Sequence, residues 1–508
     1  MTDDRTLGID LGTTRSAMAH VADEDADIIE NAEGDMVTPS IVHLTADGES
    51  LVGGPAEDQM VMKPDRTVAE IKKEMGEDVT VELDEESYSP QEVSAMILQK
   101  LVEDAEDRLG EGIGSAVITV PAYFSDRQRT ATREAGEMAG LAVKKLLPEP
   151  SAAVLAYGMR EQKLGEAENE TIFVYDLGGG TFDATLVEAK YEANIIETIA
   201  TDGDTALGGS DWTDAIADWL FDRIEDDTDV DLRTEDALTE QRNQILTKAR
   251  EAKHRLSEQS TVTINQPFAV PQQGHNLEAE LTREEFEDLT APLLDRTTAP
   301  MDDIFERTDY DVDDVDKVLL IGGSTRMPQV ETLVADYFGQ DPSKEISPDK
   351  AVAMGAAIQS AVIEDVSGLP GGDDGGALID ALPQSIGVEV QPGDRFDPIV
   401  ERDTSIPTTE RKEGYSVESA QHTSVEIRVY QGESSTIHNN EHLGTAKLEN
   451  IPRRQPGDES IAIEFAVDED GTLEVRGEDM KSGAEIETAI DRAIGEGDGD
   501  GDHLPSNS

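Results

Sequence analysis

The sequence has no cysteine, no long apolar run and few aromatic residues. Because there is no cysteine among 508 residues, disulfides and thiolate metal sites are excluded. No apolar run approaches the roughly 20 residues that a membrane-spanning helix needs. The first ten residues also lack a basic segment followed by a long apolar core. We therefore expect no membrane partner and no secretory signal, and we predict a cytoplasmic protein.

Basic residues are scarce as well. The chain has 41 Lys and Arg against 111 Asp and Glu, which gives a formal net charge of −70. This charge argues against nucleic acid as a partner, because binding to a phosphate backbone requires clustered Lys and Arg. Acidic chains poor in aromatic residues can be disordered, but these acids alternate with apolar residues at regular spacing. The composition therefore predicts a folded protein with an acidic surface, which molar salt would screen, and a halophilic source.

One histidine pair has the spacing of metal ligands. His438 and His442 flank the residues Asn-Asn-Glu, a pattern found in some zinc peptidases. That chemistry requires a helix that places both rings on one face. The polar residues of this stretch indicate a loop instead, so we expect no metal there.

The pattern of apolar residues changes along the chain. Residues 1–366 alternate short apolar runs with amphipathic stretches, which is typical of an α/β domain. Capping signals predict helices that begin after Ser89, Thr282 and Ser347. Glycine and proline then predict a linker over 367–380, and period-two alternation predicts a β-sandwich over 381–492. Residues 493–508 are predicted to be a disordered acidic tail.

Two segments share one design, in which an aspartate ends an apolar strand and glycine and threonine precede a second strand. They are residues 8–14 (GIDLGTT), with Asp10, and 176–183 (DLGGGTFD), with Asp176. The glycines would let backbone N–H groups approach phosphate oxygens, and the carboxylates would hold Mg²⁺ directly or through water. One such turn alone is usually an ordinary glycine turn. Two matched copies about 165 residues apart favour a nucleotide clamp.

These two segments and several further strings resemble the DnaK-type heat-shock chaperones of the actin-like ATPase superfamily. The further strings are NAEGD (31–35), VITVPAYF (117–124), EPSAA (149–153), AYG (156–158), GDTALGG (203–209), IGGSTRMP (321–328) and SPDKAVA (347–353). The resemblance covers about residues 5–490. It implies an α/β, actin-like duplicated ATPase domain with ribonuclease H-like halves, followed by a small all-β sandwich that binds peptides.

The resemblance also implies an activity and its partners. The chain would be an ATP hydrolase and an ATP-dependent chaperone that binds exposed apolar segments, and hydrolysis would control peptide release. ATP or ADP, Mg²⁺ and K⁺ would be its cofactors. Its partners would be unfolded or extended peptide segments, a J-domain cochaperone and a GrpE-type exchange factor. Two alternatives stay open: a nucleotide-dependent scaffold or sensor with little turnover, and a small-molecule kinase of the same superfamily.

The family's site residues transfer by position in the matching strings. The catalytic set would be Asp10, Lys72, Glu149, Asp176, Thr181 and Asp183, with Asp10 and Asp176 near Mg²⁺. The nucleotide would be held by Gly12, Thr13, Thr14, Gly178, Gly179, Gly180, Thr181, Gly208, Gly209, Lys253, Ser257, Gly322, Gly323, Ser324, Arg326 and Asp349. Pro121, Arg129 and Asp380 would couple the domains. The peptide would be bound by Ile386, Val388, Val390, Tyr415, Ser416, Val425 and Ile427, although alternation alone favours ordinary sandwich-core residues for this last set.

Several positions depart from the family pattern. Arg250 stands where the family has a glutamate that contacts the ribose, which predicts weaker nucleotide binding. Lys145 and Pro148 replace an arginine and an asparagine at the surface for J-domain cochaperones, which leaves the use of such partners open. Gln391 and Glu418 are polar where the family arches over the peptide. The family's helical lid has no counterpart after about residue 492, so we expect fast peptide release.

Overall fold

The computed structural model describes residues 5–22, 25–83, 86–164, 169–364, 377–391, 394–417, 422–453, 455 and 457–489. Residues 367–376 of the predicted linker, Glu418 and the predicted tail lie outside the described residues. Among the described helices, none is long and apolar enough to cross a membrane.

The first of two main sheets carries the first glycine-rich turn. Its strand order is Ala142–Pro148, Ile113–Val120, Arg5–Asp10, Arg15–Ala22 and Asp25–Ile28. The first three strands run parallel to one another, and the last two continue from Arg5–Asp10 as an antiparallel meander. Thr38–Pro39 also pairs with Arg15–Ala22. The turn at residues 11–14 therefore joins two hydrogen-bonded central strands.

The second main sheet repeats this topology. Its order is Lys317–Ile321, Glu170–Leu177, Phe182–Lys190 and Ile195–Asp204, with the first pair parallel and the others antiparallel. A parallel bridge from Leu319 to Ser343 stands where the first sheet has its outer parallel strand. The two halves thus have the same design, and each presents its glycine-rich turn at the same end of its sheet. The α/β duplicated fold expected from the sequence is confirmed.

Helices cover both sheets and separate the halves. In chain order they are Gly54–Glu57, Pro90–Leu109, Asp126–Met138, Glu149–Leu164, Gly209–Thr228, Thr239–Glu258, Arg283–Asp295, Thr298–Arg307, Pro328–Phe338 and Ala351–Ile363. Small residues let Ala351–Ile363 pack closely, since a Cβ added to Gly355 would lie 1.8 Å from the Ala152 carbonyl oxygen. A Cβ on Gly8 would lie 2.0 Å from the Ala357 nitrogen. Close backbone contacts therefore fix this helix between the two halves.

Two of the three predicted helix starts are confirmed. Ser89 and Thr282 each form a capping box, with Glu92 and Glu285 respectively. The third prediction was wrong by three residues, because the helix begins at Ala351 rather than after Ser347. A turn intervenes, in which the Lys350 N–H donates to the Ser347 carbonyl oxygen at 3.0 Å.

Smaller sheets extend the N-terminal α/β domain. Ser50–Val52, Ile41–Leu44 and Thr67–Ala69 form a three-stranded sheet, Val81–Leu83 pairs with Glu86–Tyr88, and Thr261–Val270 pairs with His275–Thr282. The buried apolar residues of the two main halves form separate clusters, so each lobe has its own core.

The C-terminal domain is a sandwich of two antiparallel sheets. One has the order Arg395–Val400, Ile386–Val390, Val425–Gln431 and Glu441–Leu448; the other has Thr408–Tyr415, Ile461–Val467, Leu473–Asp479 and Ala484–Ala489. Alternating residues of both sheets fill one core. The small all-β domain expected from period-two alternation is confirmed.

The strand Ala377–Ala381 connects the two domains. It pairs in parallel with Ile195–Asp204 at the edge of the second main sheet, and antiparallel with Ser405–Ile406 of the sandwich. The last part of the predicted linker is thus hydrogen-bonded to both domains in this structure.

Candidate functional site

The two glycine-rich turns face each other across a cleft of about 830 Å³ between the lobes. Thr14 of the first turn lies against Gly179 of the second, since a Cβ on Gly179 would come within 2.4 Å of Thr14 Cγ2. Thr13 lies against Gly180, where a Cβ would meet Thr13 Cγ2 at 2.7 Å. Only glycine leaves room for this approach. The paired arrangement inferred from the sequence is therefore present in the fold.

Four neighbouring carboxylates form an acidic cluster at the floor of the cleft: Asp10, Glu149 and Asp176 line the cleft itself, and Asp183 is buried beside Asp176. Asp10 ends its strand, Asp176 lies beside Asp183 in the second hairpin, and Glu149 begins the helix Glu149–Leu164. Burial, followed by repulsion from Glu149, raises the pKa of Asp10 to about 7 and that of Asp183 to about 7. The same two causes raise the pKa of Asp176 well above its usual range. The nearby cations and hydrogen-bond donors therefore do not fully neutralise the negative charge of these carboxylates.

Lys72 supplies a buried cation beside these carboxylates. Its side chain is 5% exposed, and Nζ lies 2.8 Å from Glu149 Oε1. The ammonium also lies 5.5 Å from the centroid of the Phe124 ring. One ammonium beside four carboxylates leaves the floor net negative, which suits an additional cation.

The floor fits a hydrated divalent cation better than one enclosed by protein ligands. Asp176 Oδ2 is buried without a hydrogen-bond partner among the described residues. Within the same residues, no three acidic or histidine side chains converge closely enough to hold a metal ion by themselves. Mg²⁺ keeps several waters and binds through one or two carboxylates plus phosphates. Asp10 and Asp176 suit that mode of binding.

The other end of the cleft contains the residues expected to hold adenosine. They are Lys253, Ser257, Gly322, Gly323, Ser324, Arg326 and Asp349, all of which line the cleft. Lys253 Nζ donates to the Gly209 carbonyl oxygen at 2.5 Å, and Ser324 Oγ donates to that of Gly178 at 2.8 Å. Burial, and then the nearby Arg250, lowers the pKa of Lys253 to about 8. These bonds connect this end of the cleft to the second glycine-rich turn.

The remaining glycines of the nucleotide set are positions of close backbone approach. A Cβ on Gly208 would lie 2.3 Å from the Gly180 nitrogen, and one on Gly209 would lie 2.2 Å from Ser324 Oγ. A Cβ on Gly12 would lie 2.1 Å from the Arg15 carbonyl oxygen.

Arg250 forms an ion pair across the cleft. Its Nη1 lies 3.2 Å from Glu57 Oε1, which joins the helix Thr239–Glu258 of one lobe to the short helix Gly54–Glu57 of the other. Both side chains also line the cleft. A guanidinium at this position therefore has a structural partner, which sequence reasoning did not foresee.

Sequence reasoning missed further residues that support the floor. The Tyr123 backbone N–H donates to Asp183 Oδ1 at 2.9 Å, and Thr119 Oγ1 donates to Asp10 Oδ1 at 3.2 Å. Lys73 does not join the floor and lies against the second glycine-rich turn: a Cβ on Gly180 would lie 2.7 Å from Lys73 Cε, and Lys73 Nζ donates to Ser210 Oγ at 2.7 Å. Backbone donors such as that of Tyr123 leave no mark on residue type, so no sequence signal could have identified them.

The three residues expected to couple the domains lie where the N-terminal α/β domain meets the sandwich. The buried Arg129 donates from Nε and Nη2 to the carbonyl oxygens of Phe124 and Ala122, both at 3.1 Å, and from Nη1 to that of Asp470 at 3.2 Å. Asp380 Oδ1 accepts a hydrogen bond from Ser151 Oγ at 2.7 Å. Pro121 is buried and directly precedes Ala122, in the segment that also contains Phe124. Burial lowers the pKa of Arg129.

Lys145 and Pro148 depart from the family pattern at the surface for J-domain cochaperones, and the structure shows their surroundings. Lys145 Nζ donates to the Glu469 carbonyl oxygen of the sandwich at 3.3 Å. Pro148 is buried at the end of its strand.

The expected peptide-binding residues divide into two groups. Ile386, Val388 and Ile427 are at most 2% exposed and belong to the sandwich core. Val390, Tyr415 and Val425 are only partly buried at the core's margin, and Ser416 is half-buried. Tyr415 donates its hydroxyl to Asp397 Oδ2 at 2.7 Å. Gln391 is exposed and donates to Glu389 Oε1 at 2.6 Å.

Comparison with known proteins identifies relatives along almost the whole chain. A family model described as "Hsp70 protein" matches residues 6–82 and 77–505. The chain is 44% identical over 498 residues to the chaperone protein DnaK of Halobacterium salinarum, covering 97% of this chain and 76% of that protein. It is 44% identical over 483 residues to the chaperone protein DnaK of Thermotoga petrophila, covering 94% and 79% respectively. For the DnaK of Thermosipho melanesiensis the identity is 42% over 482 residues, with the same coverages.

Proposed function

The chain belongs to the Hsp70 family, and on that premise we propose how its cleft and its sandwich act together. As a member of that family, it is a DnaK-type, ATP-dependent chaperone and an ATP hydrolase. A cytoplasmic location and a halophilic source remain predictions from composition.

The two turns bind the phosphates of ATP. Backbone N–H groups at Gly179 and Gly180, with the hydroxyls of Thr13 and Thr14, donate to phosphate oxygens. The contact between Thr14 and Gly179 supports this role, because it sets the width of the clamp. Mg²⁺ near Asp10 and Asp176 would neutralise phosphate charge, and K⁺ suits the same acidic floor.

Hydrolysis proceeds by orientation of water rather than through a covalent intermediate. Lys72 donates to the γ-phosphate and to the attacking water, and Glu149 holds its ammonium in place at 2.8 Å. Thr181 and Asp183 help position that water. The water oxygen bonds to the γ-phosphorus as the bond to the β,γ-bridging oxygen breaks, and ADP and phosphate result.

The observation that best supports chaperone action is a hydrogen-bonded path from the floor to the sandwich. The Tyr123 backbone N–H donates to Asp183 Oδ1 at 2.9 Å. The Tyr123 hydroxyl accepts a hydrogen bond from Gln384 Nε2 at 2.8 Å, at the entry to the sandwich. A displacement at Asp183 that accompanies hydrolysis would therefore reach the sandwich through one residue.

Further contacts would carry the same signal. Asp126 accepts from the Leu473 N–H at 2.8 Å, and its own N–H donates to Gln431 Oε1 at 3.1 Å. Arg129 and Asp380 add the bonds described above. Breaking this interface would free the sandwich to change its hold on a peptide.

The sandwich would bind extended, apolar peptide segments. Main-chain groups near Val390 and Ser416 would pair with the peptide backbone, and Tyr415 and Val425 would contact one side chain. Ile386, Val388 and Ile427 would support that pocket from the core. A J-domain cochaperone and a GrpE-type exchange factor are proposed as further partners.

Peptide release tests the proposal. A fluorescent apolar peptide should leave the chain faster with ATP than with ADP in high KCl. Tyr123→Phe, which removes only the hydroxyl that meets Gln384, should keep ATP hydrolysis and lose most of the acceleration. Equal release with both nucleotides in the unmodified chain would contradict the proposed coupling and favour a scaffold.

A further inference from the structure

Arg15 is an unpaired cation in the ATP cleft. It follows Thr13 and Thr14 of the first phosphate turn and begins the strand Arg15–Ala22. Its side chain is exposed and lines the cleft. Within the described residues, the Arg15 guanidinium has neither a hydrogen bond nor an ion pair, whereas Lys72, Arg250 and Arg326 of the same cleft each pair with a carboxylate.

Within the described residues the Arg15 guanidinium stays unpaired, although acidic residues number 111 in the chain against 41 basic ones. Arg15 acts electrostatically on two other basic groups of the cleft. Burial, and then the charges of Lys253 and Arg15, lowers the pKa of His254 to about 4. Arg15 also contributes to the lowered pKa of Lys253 from across the cleft. This side of the cleft therefore gathers cations from both lobes. The nearby carboxylates Glu57 and Glu70 are paired with Arg250 and Lys73 respectively, so the Arg15 guanidinium still lacks an anionic partner among the described residues.

The position of Arg15 specifies which part of a nucleotide would supply that anion. Its backbone belongs to the phosphate turn, because a Cβ on Gly12 would lie 2.1 Å from the Arg15 carbonyl oxygen. Its charge acts on Lys253 and His254 at the adenosine end. Arg15 thus follows the phosphate turn directly, and its side chain lines the cleft on the side of Lys253 and His254.

We propose that the Arg15 guanidinium binds the phosphate chain of ATP and ADP on the side nearest the ribose. Arginine is suited to this contact, because its planar fork can donate two parallel hydrogen bonds to one phosphate. Arg15 is then a specificity-determining residue that favours nucleoside diphosphates and triphosphates over the nucleoside. The inference rests on the proposed function, since it assumes that ATP occupies this cleft.

The test is a comparison of affinities for adenosine and ADP by titration calorimetry in about 1 M KCl. At that ionic strength the Debye length is about 3 Å, so only a direct contact retains its effect. Arg15→Gln should weaken ADP binding about tenfold and leave adenosine binding unchanged. Arg15→Lys should retain part of the ADP affinity. Arg255→Gln serves as the control, because Arg255 is exposed on Thr239–Glu258 outside the cleft.

Three results would contradict these expectations. Unchanged ADP affinity in Arg15→Gln, or an equal loss for adenosine and ADP, would overturn the phosphate contact. A similar loss in Arg255→Gln would overturn it too, because the effect would then be one of general charge. If the unmodified chain bound no ADP, the proposed function itself would fail, and that result is distinguishable from failure at Arg15 alone.

Discussion

Replacing Gly179 by alanine should disable the phosphate clamp, whereas the same change at Gly178 should be tolerated. A Cβ on Gly179 would lie 2.4 Å from Cγ2 and 2.5 Å from Oγ1 of Thr14. On Gly178 the nearest atom would be the Thr181 carbonyl oxygen at 3.6 Å, which is an ordinary contact. Neither glycine has a positive φ. The two positions therefore differ in available space and not in backbone conformation.

The size of the effect follows from these distances. Carbon atoms pack at about 3.5 to 4 Å, so the two turns must separate by about 1 Å to admit the new methyl group. A displacement of about 1 Å in reacting groups can cost about 100-fold in rate, which corresponds to about 2.7 kcal/mol. We expect kcat/KM for ATP to fall about 100-fold in Gly179→Ala and by less than about threefold in Gly178→Ala.

The assay is steady-state ATP hydrolysis with Mg²⁺ in high KCl, and a double-mutant cycle sharpens it. Thr14→Gly removes the atoms that the new methyl group would meet, so Gly179→Ala should cost much less in that background. Equal losses at Gly178 and Gly179 would refute the steric argument. So would a Gly179→Ala penalty that stays the same after Thr14→Gly.

Three further predictions concern charge. Burial and a hydrogen bond with Asp303 raise the pKa of Asp202 to about 6. Because this native pKa exceeds the usual 3.8, the stability that the protonated Asp202 carboxyl contributes to the fold is lost as pH rises toward 6. Asp202→Asn also removes the ion pair with Arg307 at 3.1 Å, so the test is the pH dependence. Relative to the unmodified chain, calorimetry should show the variant losing about 1 kcal/mol of stability between pH 7.5 and pH 5, and a constant difference would contradict this. Arg250→Glu should speed ADP release about two- to fivefold, because it breaks the partly exposed ion pair with Glu57. Adding Glu57→Arg should restore slow release in stopped-flow measurements, and release that stays fast would contradict a role for this pair. Arg129→Lys should keep basal ATP hydrolysis but lose its stimulation by peptide, because lysine cannot make all three carbonyl contacts; unchanged stimulation would count against a coupling role.

Local signals in the sequence predicted much of the fold. The Ser89 capping box is visible as Ser, Pro and Glu at fixed offsets, and the structure confirms it. Ser347 carries a similar signal but begins a turn, because tertiary packing places the helix start at Ala351. Period-two alternation likewise identified the sandwich strands, since one face of each strand is buried.

The site was harder to predict from residue types alone. The two aspartate turns were visible as a repeated pattern, but nothing local distinguishes Lys72, which enters the floor, from Lys73, which bonds to Ser210. Lys72 was predicted instead of Lys73 because it matches the lysine of the family's string. Contacts between residues far apart in sequence, such as Arg250 with Glu57, depend on how the lobes close and have no local signature.

The pocket residues show the same limit. Alternation places Val388 and Ile427 on a buried face, but it does not distinguish a core residue from the wall of a binding groove. Both are core residues here, whereas Tyr415 lies at the margin.

The most direct test of the account is ATP hydrolysis with and without an apolar peptide, measured in high KCl with Mg²⁺ beside a Lys72→Ala variant. The account predicts turnover that the peptide stimulates and that Lys72→Ala abolishes, because Lys72 is the one described ammonium bonded to the acidic floor. Turnover that persists in Lys72→Ala would contradict the assignment of the catalytic site. ATP binding without turnover in the unmodified chain would contradict an active chaperone.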